Sequence, residues 1–185
     1  MRKEINLEIA TRLINHGPVV MVSSRYQGKT GITPVAWNMP VQRKDPVLIV
    51  LEIGEKHFIY ECVMGSGDFV VNIPDISISE KVVKCGSVSG RDVDKAALCG
   101  FTLTPSRTIT SPGIDESLAR LECRLVKDDH LLKEYNMVVG EVKYAEAEEK
   151  VFTDHWDFSD TEFRTIHHVG SRVFCVPEGK MVEPE

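Results

Sequence analysis

The sequence predicts a mainly β protein with covering helices, its strands antiparallel and curled into a barrel. Three observations lead there. Six or seven segments read as strands, against three or four short helical stretches. The strands are not separated by regular helices, which argues against a doubly wound parallel sheet. Gln27-Gly28-Lys29 lies between two extended segments and reads as a hairpin turn.

The elements follow in order. Asn6–Asn15 places Leu7, Ala10, Leu13 and Ile14 at helical spacing, with Asn6 as N-cap and Gly17-Pro18 as the stop. Val19–Tyr26 is a strand, and Thr30–Trp37 is the second arm of the hairpin. Pro46–Ile53, PVLIVLEI, is apolar on both faces, so both faces should be covered. Glu55–Gly67 puts Phe58, Ile59, Cys62 and Val63 on one helical face and ends at glycine. Asp68–Pro74 is a strand closed by proline. Ile76–Gly100 starts as a short helix capped by Ser77 or Ser79, crosses the loop CGSVSGRD, and resumes as DVDKAALCG. Ala119–Leu132 alternates, with Leu121, Cys123 and Leu125 facing one way. Asp128-Asp129 reads as a turn before a long strand in Glu134–Glu149, with Gly140 inside it. Val173–Pro177 is a last short strand.

Composition narrows the function. The chain has 185 residues, a single-domain length with 1–185 read as one unit, and its formal net charge is -6. An acidic chain without a basic run is a poor partner for nucleic acid, which needs clustered Lys and Arg. No apolar segment approaches the roughly 20 residues of a membrane helix, and the N-terminus lacks a signal-peptide pattern. Five cysteines, with no two at CxxC spacing, read as reduced thiols rather than a disulfide framework or a zinc site. A cytoplasmic protein is the simplest expectation. No Gly-rich Rossmann or P-loop motif is present.

The chemistry-bearing residues bracket the apolar strand. Thr33-Pro34-Val35-Ala36-Trp37-Asn38 precedes it, and Gly54-Glu55-Lys56-His57 follows it. A strand that ends in glycine before a helix start offers backbone N–H groups to an anion. Lys56 or His57 in the first helical turn opposes the helix dipole, and a bound anion would reverse that penalty. The same two side chains equally suit a solvated surface. Gly86–Lys95 is a second donor-rich loop, or else a connector in which Ser89 and Asp92 act as caps. His167-His168 diverge as neighbours in a strand or helix, which disfavours a shared metal. His155-Trp156-Asp157 suits either stacking on a partner or an exposed turn.

Taken in this order, TPVAW, the apolar strand, the helix after GEKH, DFVVNIP, SGRDVDK, LECRLVKDD with VVGEV, and HHVGSRVF resemble the flavin reductase-like, FMN-binding split β-barrel family that includes flavoredoxins. The resemblance spans roughly Gly17 to Val176, leaving a C-terminal tail that begins near Thr153 partly outside it. It implies a homodimer with one FMN per subunit near the interface. Thr33, Pro34, Ala36, Trp37 and Asn38 would lie along the flavin ring. Glu52, Ile53 and Gly54 would pass the ribityl chain and phosphate, and Lys56 and His57 would grip the phosphate. Ser89, Gly90, Arg91 and Lys95 would form a loop closing over the cofactor. It further implies NADH or NADPH as donor and a flavin, iron or protein acceptor. The alternative is an electron carrier reduced by a protein partner. The resemblance assigns no catalytic acid or base and no metal. The chain departs from the family pattern at Glu55, Lys56, Ala96 and Tyr135. A haem held by His57 or His130 is a further reading of the same barrel.

Overall fold

The structure is a computed structural model that describes residues 7–14, 17–159 and 161–180. Its centre is a seven-stranded sheet in the order β2-β1-β5-β8-β9-β4-β3, every neighbouring pair antiparallel. The strands are β1 (Val20–Tyr26), β2 (Lys29–Val35), β3 (Asn38–Gln42), β4 (Leu48–Glu52), β5 (Asp68–Pro74), β8 (Ser117–Val126) and β9 (Met137–Ala147). Two small ribbons accompany it: β6 (Leu103–Thr104) with β7 (Gly113–Ile114), and β10 (His167–Gly170) with β11 (Val173–Cys175).

The two edge strands of the large sheet, β2 and β3, are consecutive in the chain. Only Ala36 and Trp37 separate them. The sheet therefore curls until its edges meet at this crossing, leaving a seam instead of a closed ladder. Each edge strand carries an internal proline, Pro34 and Pro40. Proline has no N–H to give to a ladder, so it is confined to edges, and both edges of this sheet satisfy that rule.

Local signals set the connections. The β1–β2 hairpin turns on two residues, Gln27 (φ 49°) and Gly28 (φ 77°), with Tyr26 opposite Lys29. Two successive positive φ values make the turn whose twist matches the strands, so Lys29 belongs to β2 and not to the turn. Helix α1 spans Phe58–Ser66 and ends on Gly67 in the left-handed conformation, where glycine carries no Cβ penalty. It starts three residues later than its sequence pattern predicts, because His57 is extended (φ −78°, ψ 140°) and acts as N-cap. A 3₁₀ turn (Ile76–Ile78) leads into α2 (Ser79–Gly86), and the capping side chain is Asp75, which accepts from Ser77 N, not Ser77 or Ser79. Helix α3 (Lys95–Cys99) is capped by Asp94 rather than Asp92.

The Asp128-Asp129 turn is in fact a helix, α4 (Asp129–Tyr135). Asp128 accepts from His130 N and Leu131 N, and Asn136 closes the end at φ 54°. Near the N-terminus, residues 7–13 form a 3₁₀ helix with Leu13 and Ile14 at the surface. Asn6 and Asn15 lie outside the described residues.

Helix α1 fills the barrel. Ile59, Cys62 and Val63 pack with Val20, Val22, Leu51, Phe69, Val71, Cys123 and Val138 into one buried cluster. A second cluster, on the opposite face of β1, joins Val19, Met21 and Ile32 to Val82 and Cys85 of α2 and to Ala96 and Cys99 of α3. Strand β1 is thus buried on both faces. Gly140 is where the interior is tightest: a Cβ there would stand 2.5 Å from Phe69 Cζ. Two buried carboxylates anchor the loop after β6. Asp68 accepts from the backbone and hydroxyls of Thr110 and Ser111, and Glu122 from Arg107 N, Thr108 N and Thr108 Oγ1. No described helix is long and apolar enough to cross a membrane.

Candidate functional site

A cleft of about 460 Å³ opens at the seam. One wall is the crossing itself, Thr33 to Trp37. The facing wall is the end of β4, Glu52 to Gly54, with His57 beyond it and Gly86 of α2 closing one side. The walls are tied together by backbone hydrogen bonds. Glu52 N donates to Trp37 O at 2.9 Å, Ile53 N to Asn136 O at 2.9 Å, and His57 N to Gly54 O at 3.0 Å. Gly86 permits a close approach, since a Cβ there would lie 3.0 Å from Pro34 Cγ. The cleft's character follows from these parts: apolar side chains from Pro34, Val35, Trp37 and Ile53, with backbone polar groups between them.

At one end stands the start of α1. His57 makes no side-chain capping bond there, so no side chain of the N-cap serves the first-turn N–H groups of the helix. Lys56, exposed, sits one residue earlier. Positive partial charge from the helix start suits an anion at this end of the cleft; Lys56 adjoins the lining residue His57 in sequence but is not among the lining residues, and Glu52 brings a negative charge to the wall.

Eight of the sequence-predicted residues line this cleft: Thr33, Pro34, Ala36, Trp37, Glu52, Ile53, Gly54 and His57. Asn38 borders it, but its amide nitrogen donates to Pro18 O (2.9 Å) and Val35 O (3.3 Å), which secures the crossing. Gly90 and Arg91 line a different depression of about 400 Å³, with Arg25, Lys29 and Phe58. Arg91 pairs with Glu61 of α1 and lies 5.7 Å over the Phe58 ring. Ser89 Oγ accepts from Arg91 N. The first turn of α1 stands between the two spaces, with His57 on one and Phe58 on the other.

Lys95 is elsewhere. It is buried, and its amine donates to Cys85 O at 2.8 Å, fastening α3 to α2. Burial lowers the Lys95 amine below the usual lysine range and pushes the Cys85 thiol up to about 12. His130 stands on α4 against Tyr135, rings 5.6 Å apart. Trp156 packs within its own segment between Phe152 and Phe158.

Gly86, which the sequence reads as the start of the donor-rich loop, instead ends α2 and stands at the seam-cleft wall. The signal for this was the glycine directly after the helical run KVVKC. Sequence reasoning missed that β10 and β11 form a hairpin packed beside the cleft.

Residues 12–167 match the flavin reductase like domain, and the chain belongs to that family of FMN-binding, flavin reductase-like oxidoreductases. Protein YddH of Escherichia coli K12 is 34% identical over 182 residues, covering 96% of this chain and 95% of YddH. The FMN-binding domain of a flavin reductases-like enzyme from Shewanella baltica OS155 superposes with a TM-score of 0.86 at 27% identity, covering 98% of this chain and 96% of that one. Flavoredoxin of Desulfovibrio vulgaris (Miyazaki F) shares the fold, with a TM-score of 0.81 at 19% identity over 99% of this chain and 97% of its own.

The seam cleft fits FMN in its donor chemistry. It combines apolar walls for a planar ring, main-chain polar groups along the crossing for the ring's polar edge, and an uncapped helix start beside a lysine for a phosphate. Lys56→Glu is therefore expected to weaken FMN about tenfold while leaving riboflavin, which lacks the phosphate, nearly unchanged. Fluorescence titration of both ligands checks this, and an equal loss for both would remove Lys56 from the phosphate site.

Proposed function

We propose that this protein is a cytoplasmic FMN-dependent reductase that takes electrons from NADH or NADPH and passes them to a flavin, iron or protein acceptor. The observation that carries this reading is the seam cleft, where the Thr33–Trp37 crossing, the Glu52–Gly54 strand end and the start of α1 converge on one open space. Bound FMN supplies reversible electron transfer, which needs placement and tuning from the protein more than an acid or base. Thr33 to Trp37 orient the ring edge through the main chain. Trp37, half-exposed at the rim, shields one side from water. Lys56 and the first turn of α1 hold the phosphate. Five free thiols suit a reducing compartment.

The experiment is the visible spectrum of the FMN-loaded protein before and after anaerobic NADH and NADPH. Bleaching of the flavin bands by either nucleotide is the expected result. A tightly bound flavin that neither nucleotide reduces would replace the reductase reading with that of an electron carrier served by a protein partner. A protein that takes up no flavin would overturn both.

The assembly proposed for this function is a homodimer joined along β3. Met39 and Val41 are 58% and 52% exposed on this edge strand, next to Trp37 at 50%. An apolar, unpaired strand edge in a stable protein needs cover, and a second copy would also roof the seam cleft. Light scattering is expected to return twice the 20.8 kDa chain mass. Met39→Asp with Val41→Asp is expected to shift the protein to monomers and to weaken FMN. A native monomer would sink the assembly.

A further inference from the structure

Two of the free thiols, Cys85 and Cys99, meet in a cluster that the proposed electron transfer does not use. Cys85 lies in the last turn of α2, and Cys99 ends α3. Both are buried with Val19, Met21 and Ile32. Their sulfurs are within hydrogen-bonding reach of each other. Cys62 and Cys123 belong to the other core cluster, and neither has a thiol among the groups that act on it.

Lysines converge on the pair. Lys84 Nζ donates to Leu98 O and Lys81 Nζ to Gly100 O, both at 2.7 Å. A lysine of α2 thus holds the carbonyl on each side of Cys99, and Lys81 keeps a second partner in Glu116 at 3.8 Å. Lys95 Nζ donates to Cys85 O at 2.8 Å. Burial pushes the Cys99 thiol up, while Lys84, the Cys85 thiol, Lys95 and Lys81 each draw it back down. Cys85 is fully enclosed, whereas Cys99 keeps 5% of its surface and stands between exposed Leu98 and Gly100, so Cys99 is the sulfur that a small oxidant meets first. A sulfur among cations with a second thiol at hand is the arrangement of a redox-sensing cysteine and its resolving partner.

We propose that Cys85 and Cys99 are a dithiol that hydroperoxides oxidise reversibly to a disulfide, stapling α2 to α3. The Cys99 sulfur attacks one peroxide oxygen and the O–O bond breaks. Cys99 becomes a sulfenic acid, and the other oxygen leaves as an alcohol, or as water from hydrogen peroxide. The Cys85 sulfur then displaces the sulfenic hydroxyl, which departs as water with the Cys85 thiol proton, and the S–S bond forms. Two thiols lose two electrons in all, and one peroxide gains them. The Cys85 S–H bond to Ile32 O, at 3.7 Å, is lost in the second step. Ile32 precedes Thr33 and Gly86 follows Cys85, so the change falls directly behind two residues of the seam-cleft wall. The dithiol stands whether or not the seam holds FMN.

The test uses the full chain with the exposed Cys175 replaced by serine. Reduced protein is exposed to hydrogen peroxide, the remaining thiols are alkylated after unfolding, and the cysteine peptides are read by mass spectrometry. The expected result is a Cys85–Cys99 peptide pair that dithiothreitol separates, formed at least about tenfold faster than Cys62 or Cys123 is consumed. Cys85→Ser is expected to stop at a sulfenic acid on Cys99, captured by dimedone, and Cys99→Ser to leave Cys85 reduced. If either variant unfolds, the parent's peptide pair and its rate relative to Cys62 and Cys123 decide alone. Both thiols staying reduced while Cys62 and Cys123 oxidise, loss of all four at one rate, or Cys99 oxidised with Cys85 still free would overturn the proposal.

Discussion

The seam between β2 and β3 sets the curvature of the whole sheet. A seven-stranded antiparallel sheet has two edges, and here they are joined by a crossing of two residues, Ala36 and Trp37. Such a short link forces β2 and β3 to lie near each other, so the sheet must curl. Pro34 and Pro40 each remove a backbone donor from an edge. What remains is a curved wall with polar main-chain groups and no strand to complete it. Glu52 N to Trp37 O and Asn38 Nδ2 to Val35 O hold that wall in place. An open cleft is the direct consequence of a barrel that closes in sequence before it closes in hydrogen bonds.

Everything around the seam keeps the curl from relaxing. Helix α1 fills the interior, and its own start forms one end of the cleft, so one element both packs the core and borders the cleft. Residues on the inner side of β1 face α1 and those on the outer side face α2 and α3, which pins the strand between two clusters. The absence of a side chain at Gly140 makes room for the Phe69 ring in the core. Asp68 and Glu122 are buried carboxylates satisfied by hydrogen bonds from a loop. Removing either would leave orphaned buried donors as well as freeing the loop.

Six of the seven strands of the large sheet were legible because period-two alternation and apolar runs survive in isolation. Asp68–Pro74 was predicted to the residue, and the Gly67 stop of α1 was clear because only the left-handed conformation suits that position. Capping was less legible. Asp75, Asp94 and Asp128 each cap a helix, but aspartates and serines crowd these segments, and which one caps depends on where the chain turns in three dimensions. Strand β3 was hidden by its edge position: NMPVQ has neither a buried face nor a clean alternation. At the site, the crossing and the end of β4 were legible as one run of sequence around a core strand. The placement of Ser89–Arg91 behind Phe58, and of Lys95 beneath α2, was not, because spacing along a loop says nothing about which side of a helix it passes. The last strand was read from VFCVP, but its pairing with β10 and its place beside the cleft were not, because the hairpin lies far along the chain from Pro34, Ala36 and α2 that it meets.

Whether the seam holds the flavin can be seen directly. The most direct measurement is a crystal structure of the protein grown with FMN. The ring is expected along Thr33–Trp37, opposite Glu52–Gly54, with the phosphate at Lys56 and the first turn of α1. A flavin found instead in the depression between Arg25, Lys29 and Arg91, on the other side of that turn, would contradict it.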